Sequence, residues 1–163
     1  MAKLTIVKEG DDTLRKVCRP VTEITPKIER LLDDMLQTMH DAEGVGLAAP
    51  QVGILRRIAI VETEPGTVYE LINPEIIAVE GEQIGTEGCL SSPGEYGVVT
   101  RPMTVTVRAM NRKGETVTYT GSELLARAFC HEIDHLDGVL FKDKASKMLA
   151  PEEMKRRKYR RQI

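Results

Sequence analysis

Residues 122–138, with the sequence SELLARAFCHEIDHLDG, begin with a serine that can cap a helix and end with a glycine that can terminate one. The segment contains His131 and His135, two of the three histidines in the chain, with Glu132 directly after the first. Positions i and i+4 share a helix face, so the two imidazoles of this H-E-x-x-H pattern can reach one metal ion. Glu132 can then contact a water on that ion without being a ligand. The alternative is a solvated helix that carries two surface histidines.

A catalytic metal site of this kind needs a third protein ligand and keeps one coordination position open. Cys89 is our candidate, since it lies in the sequence EGCLS, residues 87–91, after strand-like residues and before an expected turn at residues 92–94. Its thiolate would complete a set of two histidines and one cysteine. Considered alone, a free cysteine is more often a small buried hydrophobic residue. Cys130 adjoins His131, but it points about 100° around the helix, which favours a position in the core.

Residues 44–53, GVGLAAPQVG, form a third region of interest. The small residues in this region allow another backbone to come close. One interpretation is a helix stop that is followed by a tight loop. The other interpretation is a wall of an active site, in which Gln51 presents an amide donor.

The remaining segments indicate an α+β fold. Thr25 can cap a helix over residues 26–43, in which Pro26 is the first residue and apolar positions recur at helical spacing. His40 lies near the end of this helix, where a cation suits the helix dipole, so we interpret it as structural. The segments with strand character are residues 57–62, 67–72, 75–80, 103–110 and 115–120. We expect antiparallel strands packed around the central metal-binding helix, with an N-terminal helix and a short C-terminal helix that begins at Pro151.

Length and composition indicate a single domain over residues 1–163, with residues 155–163 as a basic tail. Only 4% of the residues are aromatic, so a protein that binds single strands by base stacking is disfavoured. The net charge of −2 is unevenly placed. Six of the 23 basic residues lie in the tail, which leaves 17 basic against 25 acidic residues elsewhere, a net charge of −8. We expect the tail to have an anionic partner of its own.

The cysteine count and the hydropathy of the chain bear on its compartment. Three cysteines and an N-terminal region without an apolar stretch argue against a disulfide framework and a secretory signal. We assign no role to Cys18. No run approaches the roughly 18 apolar residues of a membrane-spanning helix, so we expect no contact with a membrane. These features predict a protein of the reducing cytoplasm.

Taken together, three segments resemble the signature motifs of the bacterial peptide deformylases, in the same order along the chain. Residues 44–51 match G-x-G-x-A-A-x-Q at every fixed position, residues 87–91 match E-G-C-L-S, and residues 131–138 match H-E-x-D-H-x-x-G. The resemblance covers essentially the whole chain. It implies an α+β enzyme that removes the formyl group from the N-terminal formyl-methionine of nascent polypeptides and releases formate.

The resemblance also implies a metal centre. Its ligands are Cys89, His131 and His135, and the divalent ion is Fe²⁺ in the cell, with Ni²⁺ or Zn²⁺ possible in preparations. Glu87 and Arg101 match a family pair that forms an ion pair in support of the second motif. Partners of this kind orient the ligands of a metal ion.

Further residues match the catalytic groups of the family. Glu132 matches the general acid and base. Gln51 matches the side chain that stabilises the oxyanion, and the Leu90 backbone N–H is its partner. Gly46 matches a residue whose backbone pairs with the substrate, which we expect to add as a strand beside Val45 and Gly46.

The side chain of the substrate methionine needs an apolar slot. Leu124, Ala128 and Val45 are our candidates for lining it, although ordinary core packing explains each of them equally well. Two positions depart from some members of the family. Tyr96 stands where some carry Arg near the downstream residues of the substrate. Arg127 stands where some carry an apolar residue, so we expect a more polar pocket rim.

The family also suggests a partner for the basic tail. In some deformylases a C-terminal helix docks on the ribosome, so residues 155–163 could contact rRNA phosphates, with a frayed solvated end as the alternative.

A zinc endopeptidase would use the same H-E-x-x-H helix, but no histidine follows His135 as a third ligand. A non-enzymatic ribosome-binding protein with a structural metal would need no base such as Glu132 beside the ion.

Overall fold

The secondary structure consists of antiparallel strands and a few helices, in agreement with the α+β class. The computed structural model describes residues 3–155 and 162–163. The helices are α1 (Pro26–Asp41), α2 (Leu124–Leu136), α3 (Phe141–Lys144) and α4 (Pro151–Lys155), and 3-10 turns lie at Asp12–Arg15 and Ala49–Val52. The strands are β1 (Gly46–Ala48), β2 (Ile58–Glu64), β3 (Thr67–Glu80), β4 (Gln83–Cys89), β5 (Ser92–Arg101), β6 (Thr104–Met110), β7 (Thr116–Ser122) and β8 (Ala145–Met148).

Two antiparallel sheets contact helix α2. The first sheet has the strand order β1-β2-β3-β6-β7, and the second has the order β4-β5-β8. Helix α2 contacts every strand of the first sheet and β5 of the second. Ten of its 13 residues are buried, so its side chains can only face other protein groups or a bound ligand.

Helix α1 begins where the sequence predicts and ends earlier. The Thr25 hydroxyl accepts a backbone N–H at 3.3 Å, and Pro26 is the first helical residue. The helix ends at Asp41 instead of residue 43. The N–H groups of residues 42–44 bond back to carbonyls of the last turn, which closes the helix there. Glu43, which directly precedes Gly44, has φ +58°.

Strand β3 joins two segments that the sequence predicts as separate strands. It has 14 residues, and its pairing with β6 shifts register between Ile72 and Glu75. Asn73 in this bulge has φ +51°. Its side-chain amide exchanges two hydrogen bonds of 2.8 Å with the Val21 backbone. These bonds stabilise the bulge, so the strand continues across a position that reads as a break.

The hairpin of β4 and β5 differs from the sequence prediction. Cys89 pairs with Ser92, so the turn occupies residues 90–91, and the turn expected at residues 92–94 is wrong. The Gly- and Pro-containing start of β5 resembles a loop, but pairing with β4 gives its backbone regular partners. The turn at residues 90–91 leaves Cys89 at the end of β4. The short strands β1 and β8 are further elements that the sequence does not predict.

Helix α2 begins at Leu124 without the expected serine cap. Ser122 is still part of β7, where it pairs with Thr104. Glu123 follows at the N-cap with φ +58° and no side-chain cap bond. The chain passes directly from strand to helix, so Ser122 cannot cap α2. The helix ends as predicted, and Gly138 just beyond it has φ +75°.

Helix α4 is the expected short helix that begins at Pro151. Residues 156–161, which make up most of the basic tail, lie outside the described part of the chain. No helix in that described part is long and apolar enough to cross a membrane. A single domain over residues 1–163 stays a prediction.

Candidate metal centre

Cys89, His131 and His135 come together in the interior of the fold. Cys89 ends β4, and the two histidines lie one turn apart on α2. One ligand atom of each residue lies within 4.8 Å of those of the other two, and each residue is 1% exposed. The Cys89 Sγ is 3.4 Å from His135 Nε2. The centroids of the two imidazole rings are 5.0 Å apart.

These three side chains fit a single metal ion. Ligands at about 2.0–2.3 Å in tetrahedral geometry stand about 3.5 Å apart, so small side-chain movements bring the three atoms into coordination distance. His131 Nε2 is buried and has no hydrogen-bond partner among the described residues, as expected for an atom that faces an ion. A thiolate with two imidazoles suits borderline ions such as Fe²⁺, Ni²⁺ and Zn²⁺.

The other nitrogen of His131 is held by Glu87. The two atoms, His131 Nδ1 and Glu87 Oε1, are 2.8 Å apart, which leaves Nε2 for an ion. Arg101 donates to the two oxygens of Glu87 at 2.8 and 2.9 Å, so the predicted ion pair is confirmed. Burial opposes the charged form of Glu87, but the hydrogen bonds from Arg101 and His131 hold its pKa well below the usual range. Glu87 is therefore a buried carboxylate at neutral pH.

Arg127 lies below the surface, so the expectation of a polar pocket rim at this position is wrong. It is only 4% exposed. Its Nη1 donates to Glu87 Oε2 at 2.8 Å and to the Val99 carbonyl at 3.0 Å. A buried guanidinium is tolerated here because the carboxylate of Glu87 compensates its charge.

Glu132 lies beside the cluster and is fully buried. Its carboxylate touches the backbone of β1 so closely that a Cβ at Gly46 would lie 2.5 Å from Oε2. Both carboxylate oxygens lack a hydrogen-bond partner within the described part of the chain. Burial raises the pKa of Glu132 to about 7, with the charge of His131 opposing the shift. Glu132 can therefore take up and release a proton near neutral pH.

Gln51 presents an amide donor to the cluster, in agreement with the second interpretation of residues 44–53. It lies in the 3-10 turn Ala49–Val52, and its Oε1 accepts the Ala48 N–H at 3.0 Å. This bond directs Nε2 toward Ser91 Oγ at 3.0 Å and Cys89 Sγ at 3.6 Å. Ser91 is a contributor that the sequence reasoning missed, although it is the last residue of the EGCLS segment.

Residues 162–163 lie against the same site, which the sequence does not predict. The Val45 N–H donates to the Gln162 carbonyl at 3.2 Å, and the Ile163 N–H donates to the Gly88 carbonyl at 3.1 Å. The Leu90 N–H donates to the backbone oxygen of Ile163 at 3.3 Å. The segment therefore connects the start of β1 with the end of β4. The charge pattern of the tail contains no signal for this placement.

The residues expected to contact substrate lie in different surroundings. Val45 and Ala128 belong to one buried apolar cluster, which also includes Ile163. Leu124 is 46% exposed and lines a surface cavity of about 330 Å³. Tyr96 pairs with Gly88 and packs so closely that a Cβ at that glycine would lie 2.7 Å from its ring. The role of each in substrate binding stays a prediction.

The residues expected to have no catalytic role are placed accordingly. Cys130 and Cys18 belong to the buried apolar cluster that contains Phe129. Burial raises the pKa of the Cys130 thiol to about 11, so it is a poor thiolate ligand. His40 Nε2 lies within hydrogen-bond distance of the Glu62 carboxylate of β2, which fits a structural role.

Two imidazoles and a thiolate around one point, with a buried carboxylate beside them, are typical of a mononuclear metal-dependent hydrolase. Residues 3–150 match the family model described as polypeptide deformylase. The chain belongs to the polypeptide deformylase family.

Relatives with assigned names agree with this membership. A peptide deformylase of Acetivibrio thermocellus is 55% identical over 158 residues, which cover 97% of this chain and 92% of the relative. One of Agathobacter rectalis is 58% identical over 144 residues, which cover 88% of this chain and 90% of the relative.

Solved structures show the same fold. The crystal structure of a peptide deformylase from Legionella pneumophila has a TM-score of 0.86 and 41% identity, and the match covers 93% of this chain and 89% of that one. A peptide deformylase from Synechococcus elongatus, solved in complex with actinonin, has a TM-score of 0.86 and 38% identity. That match covers 90% of this chain and 82% of the other.

Proposed function

We infer that this chain is a metal-dependent peptide deformylase, which removes the formyl group from the N-terminal formyl-methionine of nascent polypeptides and releases formate. The observation that carries this inference is the buried cluster of Cys89, His131 and His135 beside Glu132, in a chain of the deformylase family. The reaction hydrolyses an amide. Its C–N bond breaks, water supplies an oxygen of formate, and the methionine nitrogen leaves as a free amine.

Cys89, His131 and His135 are the proposed ligands of one divalent ion. We propose Fe²⁺ in the cell and Ni²⁺ or Zn²⁺ in preparations, since the sulfur and nitrogen donors suit each of them. When bound, the ion supplies Lewis acidity toward the attacking water and the formyl oxygen. The reducing cytoplasm, which we propose as the compartment, keeps Cys89 free for this role.

Glu132 is the proposed proton carrier. Its two oxygens have no hydrogen-bond partner among the described residues, so a water and the leaving amine can both approach them. A carboxyl with a pKa of about 7 accepts a proton from the attacking water and returns it to the amine at neutral pH. The tight contact with Gly46 holds the carboxylate in place between these two transfers.

Two donors are proposed to stabilise the negative charge that develops on the formyl oxygen. One is Gln51 Nε2, whose direction is set by the bond between Gln51 Oε1 and the Ala48 N–H. The other is the backbone N–H of Leu90 in the turn after Cys89. One preorganised donor of this type is typically worth about 3 kcal/mol in the transition state.

The substrate is proposed to add as an extended strand beside Val45 and Gly46. Residues 162–163 support this proposal, because their backbone already forms hydrogen bonds with the backbone of Val45 and Gly88. The buried Ile163 side chain lies in the cluster of Val45 and Ala128, which supports an apolar slot at this place. We retain Leu124 as a third candidate for the methionine slot.

We also propose that residues 155–163 contact ribosomal RNA. Six basic residues in a stretch of nine support contact with phosphates. A variant without residues 156–163 should co-sediment less with ribosomes and should still act on a short formylated peptide. Unchanged co-sedimentation would contradict this part of the proposal.

The activity is tested with protein that is purified anaerobically and loaded with Fe²⁺ or Ni²⁺. We expect formate release from a formyl-methionyl tripeptide and none from the acetylated peptide, since the formyl carbon carries only hydrogen. A chelator should abolish the release, and added metal should restore it. Absence of formate from the metal-loaded protein would overturn the proposed function. Cleavage of internal peptide bonds would instead indicate an endopeptidase.

A further inference from the structure

Arg127 is a buried cation that the proposed reaction does not use. It lies on α2, one helical turn before His131, so both side chains point to the same side of the helix. Its Nη1 donates to Glu87 Oε2 and to the Val99 carbonyl. The guanidinium also packs against β4, where a Cβ at Gly85 would lie 3.0 Å from Nη2. Arg127 thus connects the metal-site helix to β4 and β5.

The carboxylate of Glu87 is saturated with donors. Its Oε1 accepts from Arg101 Nη2 at 2.9 Å and faces His131 Nδ1 at 2.8 Å. Its Oε2 accepts from Arg101 Nε and Arg127 Nη1, both at 2.8 Å. Each carboxylate oxygen has about two acceptor positions, so all are in use. The plane of the carboxylate is therefore fixed from two sides, by Arg101 of β5 and by Arg127 of α2.

We propose that Arg127 is a positioning residue of the metal centre, which acts through Glu87 on the orientation of His131. Without Arg127, Arg101 is the only arginine that still holds Glu87, and the carboxylate can tilt about its own side chain. The position of Oε1 then varies, and with it the direction of the His131 ring. Because Nδ1 and Nε2 belong to one rigid ring, a tilt of the Glu87 carboxylate also moves His131 Nε2, the proposed ligand atom. The inference depends on the proposed function only in taking His131 as a ligand.

Metal affinity measures this effect independently of catalysis. Co²⁺ is added to the metal-free protein against a chromophoric chelator, and the visible absorption of bound Co²⁺ reports the ligand geometry. For Arg127→Met we expect binding weaker by about 10-fold to 100-fold and a changed spectrum. Arg127→Lys keeps the charge and should lie between this variant and the parent. Arg108→Met is the matched control, since this half-exposed arginine pairs with Glu75 away from the site.

Two outcomes would overturn the role of Arg127. One is an Arg127→Met variant that folds and binds Co²⁺ with unchanged affinity and spectrum, whatever happens to its unfolding temperature. If that variant does not fold, an unchanged affinity and spectrum in Arg127→Lys has the same meaning. If every protein, the parent included, fails to bind Co²⁺, then His131 is not a ligand, and both this inference and the proposed metal site fail. Normal binding without formate release would contradict only the proposed function.

A second inference rests on residues 162–163. Their backbone accepts the N–H groups of Val45 and Leu90. The proposed function gives the Leu90 N–H to the formyl oxygen and places the substrate strand beside Val45. The side chain of Gln162 adds a bond to the Ser92 carbonyl at 3.1 Å. Ile163 is 2% exposed. The segment is thus anchored by backbone pairing and by a buried apolar side chain, in the manner of an added strand.

We propose that residues 162–163 are an intramolecular competitor of the substrate. The Val45 and Leu90 N–H groups each have one proton to donate, so substrate binds fully only when the segment has left. The apparent KM then equals the intrinsic KM divided by the fraction of molecules in which residues 162–163 have left the Val45 and Leu90 N–H groups. If the segment is in place in nine of ten molecules, the factor is about tenfold. The turnover number of bound substrate is not affected.

The test combines kinetics with amide exchange. In Ile163→Asp a charge replaces the buried side chain and should expel the segment. We expect a lower KM for the formylated tripeptide at unchanged kcat, and faster hydrogen exchange at the Val45 and Leu90 amides. Ile77→Asp, at a 42% exposed isoleucine on β3, is the matched control and should change neither value. A variant without residues 156–163 should behave like Ile163→Asp.

Amide exchange separates this inference from the proposed function. Unchanged hydrogen exchange at the Val45 and Leu90 amides in both variants would show that residues 162–163 do not occupy these N–H groups, whether or not formate is released. An unchanged or higher KM in an active Ile163→Asp variant would show that the segment does not compete. Faster hydrogen exchange at these two amides in the variants, in a protein that releases no formate, would support their occupation by residues 162–163. The same result would overturn the proposed activity.

Discussion

The contact between Gly46 and Glu132 leads to a quantitative prediction for Gly46→Ala. Gly46 is in β1, outside the positive-φ region, so alanine is compatible with the backbone itself. Its Cβ, however, would lie 2.5 Å from Glu132 Oε2 and 3.0 Å from Cδ. Non-bonded heavy atoms are most favourable from about 3.5 Å, so the carboxylate must retreat by about 1 Å. Because Glu132 is buried, the surrounding structure resists this movement.

The displacement should affect catalysis more than stability. A misplacement of about 1 Å in a catalytic group can lower a rate by about 100-fold. Overpacking of this kind typically costs about 1–3 kcal/mol in the free energy of unfolding. We therefore expect kcat for formate release to fall by about two orders of magnitude, with one metal ion per chain retained, since the substitution touches none of the three proposed ligands.

The assay is steady-state formate release together with metal analysis and urea unfolding. Gly66→Ala is the control, because Gly66 has no proposed role at the site. The alanine would strain an exposed turn at φ +90°, although there is open space for its Cβ. It should cost stability and leave kcat unchanged. A Gly46→Ala variant with kcat within twofold of the parent would refute the assignment of Glu132 as a tightly positioned proton carrier.

Three further predictions concern single side chains. Cys89→Ser should weaken binding of Zn²⁺ or Ni²⁺ strongly in chelator competition, while Cys18→Ser should not, and equal affinities would remove Cys89 from the ligand set. Gln51→Ala should lower kcat by about 100-fold with little change in KM, and a loss confined to KM would contradict its role toward the oxyanion. Met35→Ala should reduce the free energy of unfolding by about 2–5 kcal/mol in urea without affecting kcat, because this fully buried side chain only fills the core beneath α1. A loss below about 1 kcal/mol would contradict that packing.

The elements with local signals were predictable from the sequence. Thr25 and Pro26 mark the start of α1 because capping and the fixed φ of proline act within one turn. The two histidines of α2 share a face for the same local reason. The β6–β7 hairpin was also predictable, since Asn111 Oδ1 accepts the N–H groups of Lys113 and Glu115 within the loop.

Elements that depend on distant partners were not predictable in the same way. The start of β5 is a strand only because β4 lies beside it, and its Gly and Pro residues suggest a loop when read alone. Arg127 was expected to make the pocket rim more polar, but a buried anion from another element, Glu87, holds it inside. Residues 162–163 reach the site by contacts with β1 and β4, which no periodicity in a basic tail reveals.

The central claim is that Glu132 moves the proton in a metal-dependent deformylation. The most direct measurement is single-turnover formate release by anaerobic, metal-loaded Glu132→Gln beside the parent, with the metal content determined for both. Glutamine has the same shape but cannot carry the proton, so we predict one ion per chain and a rate lower by at least about 100-fold. A Glu132→Gln variant with full metal content and the parent rate would contradict the account.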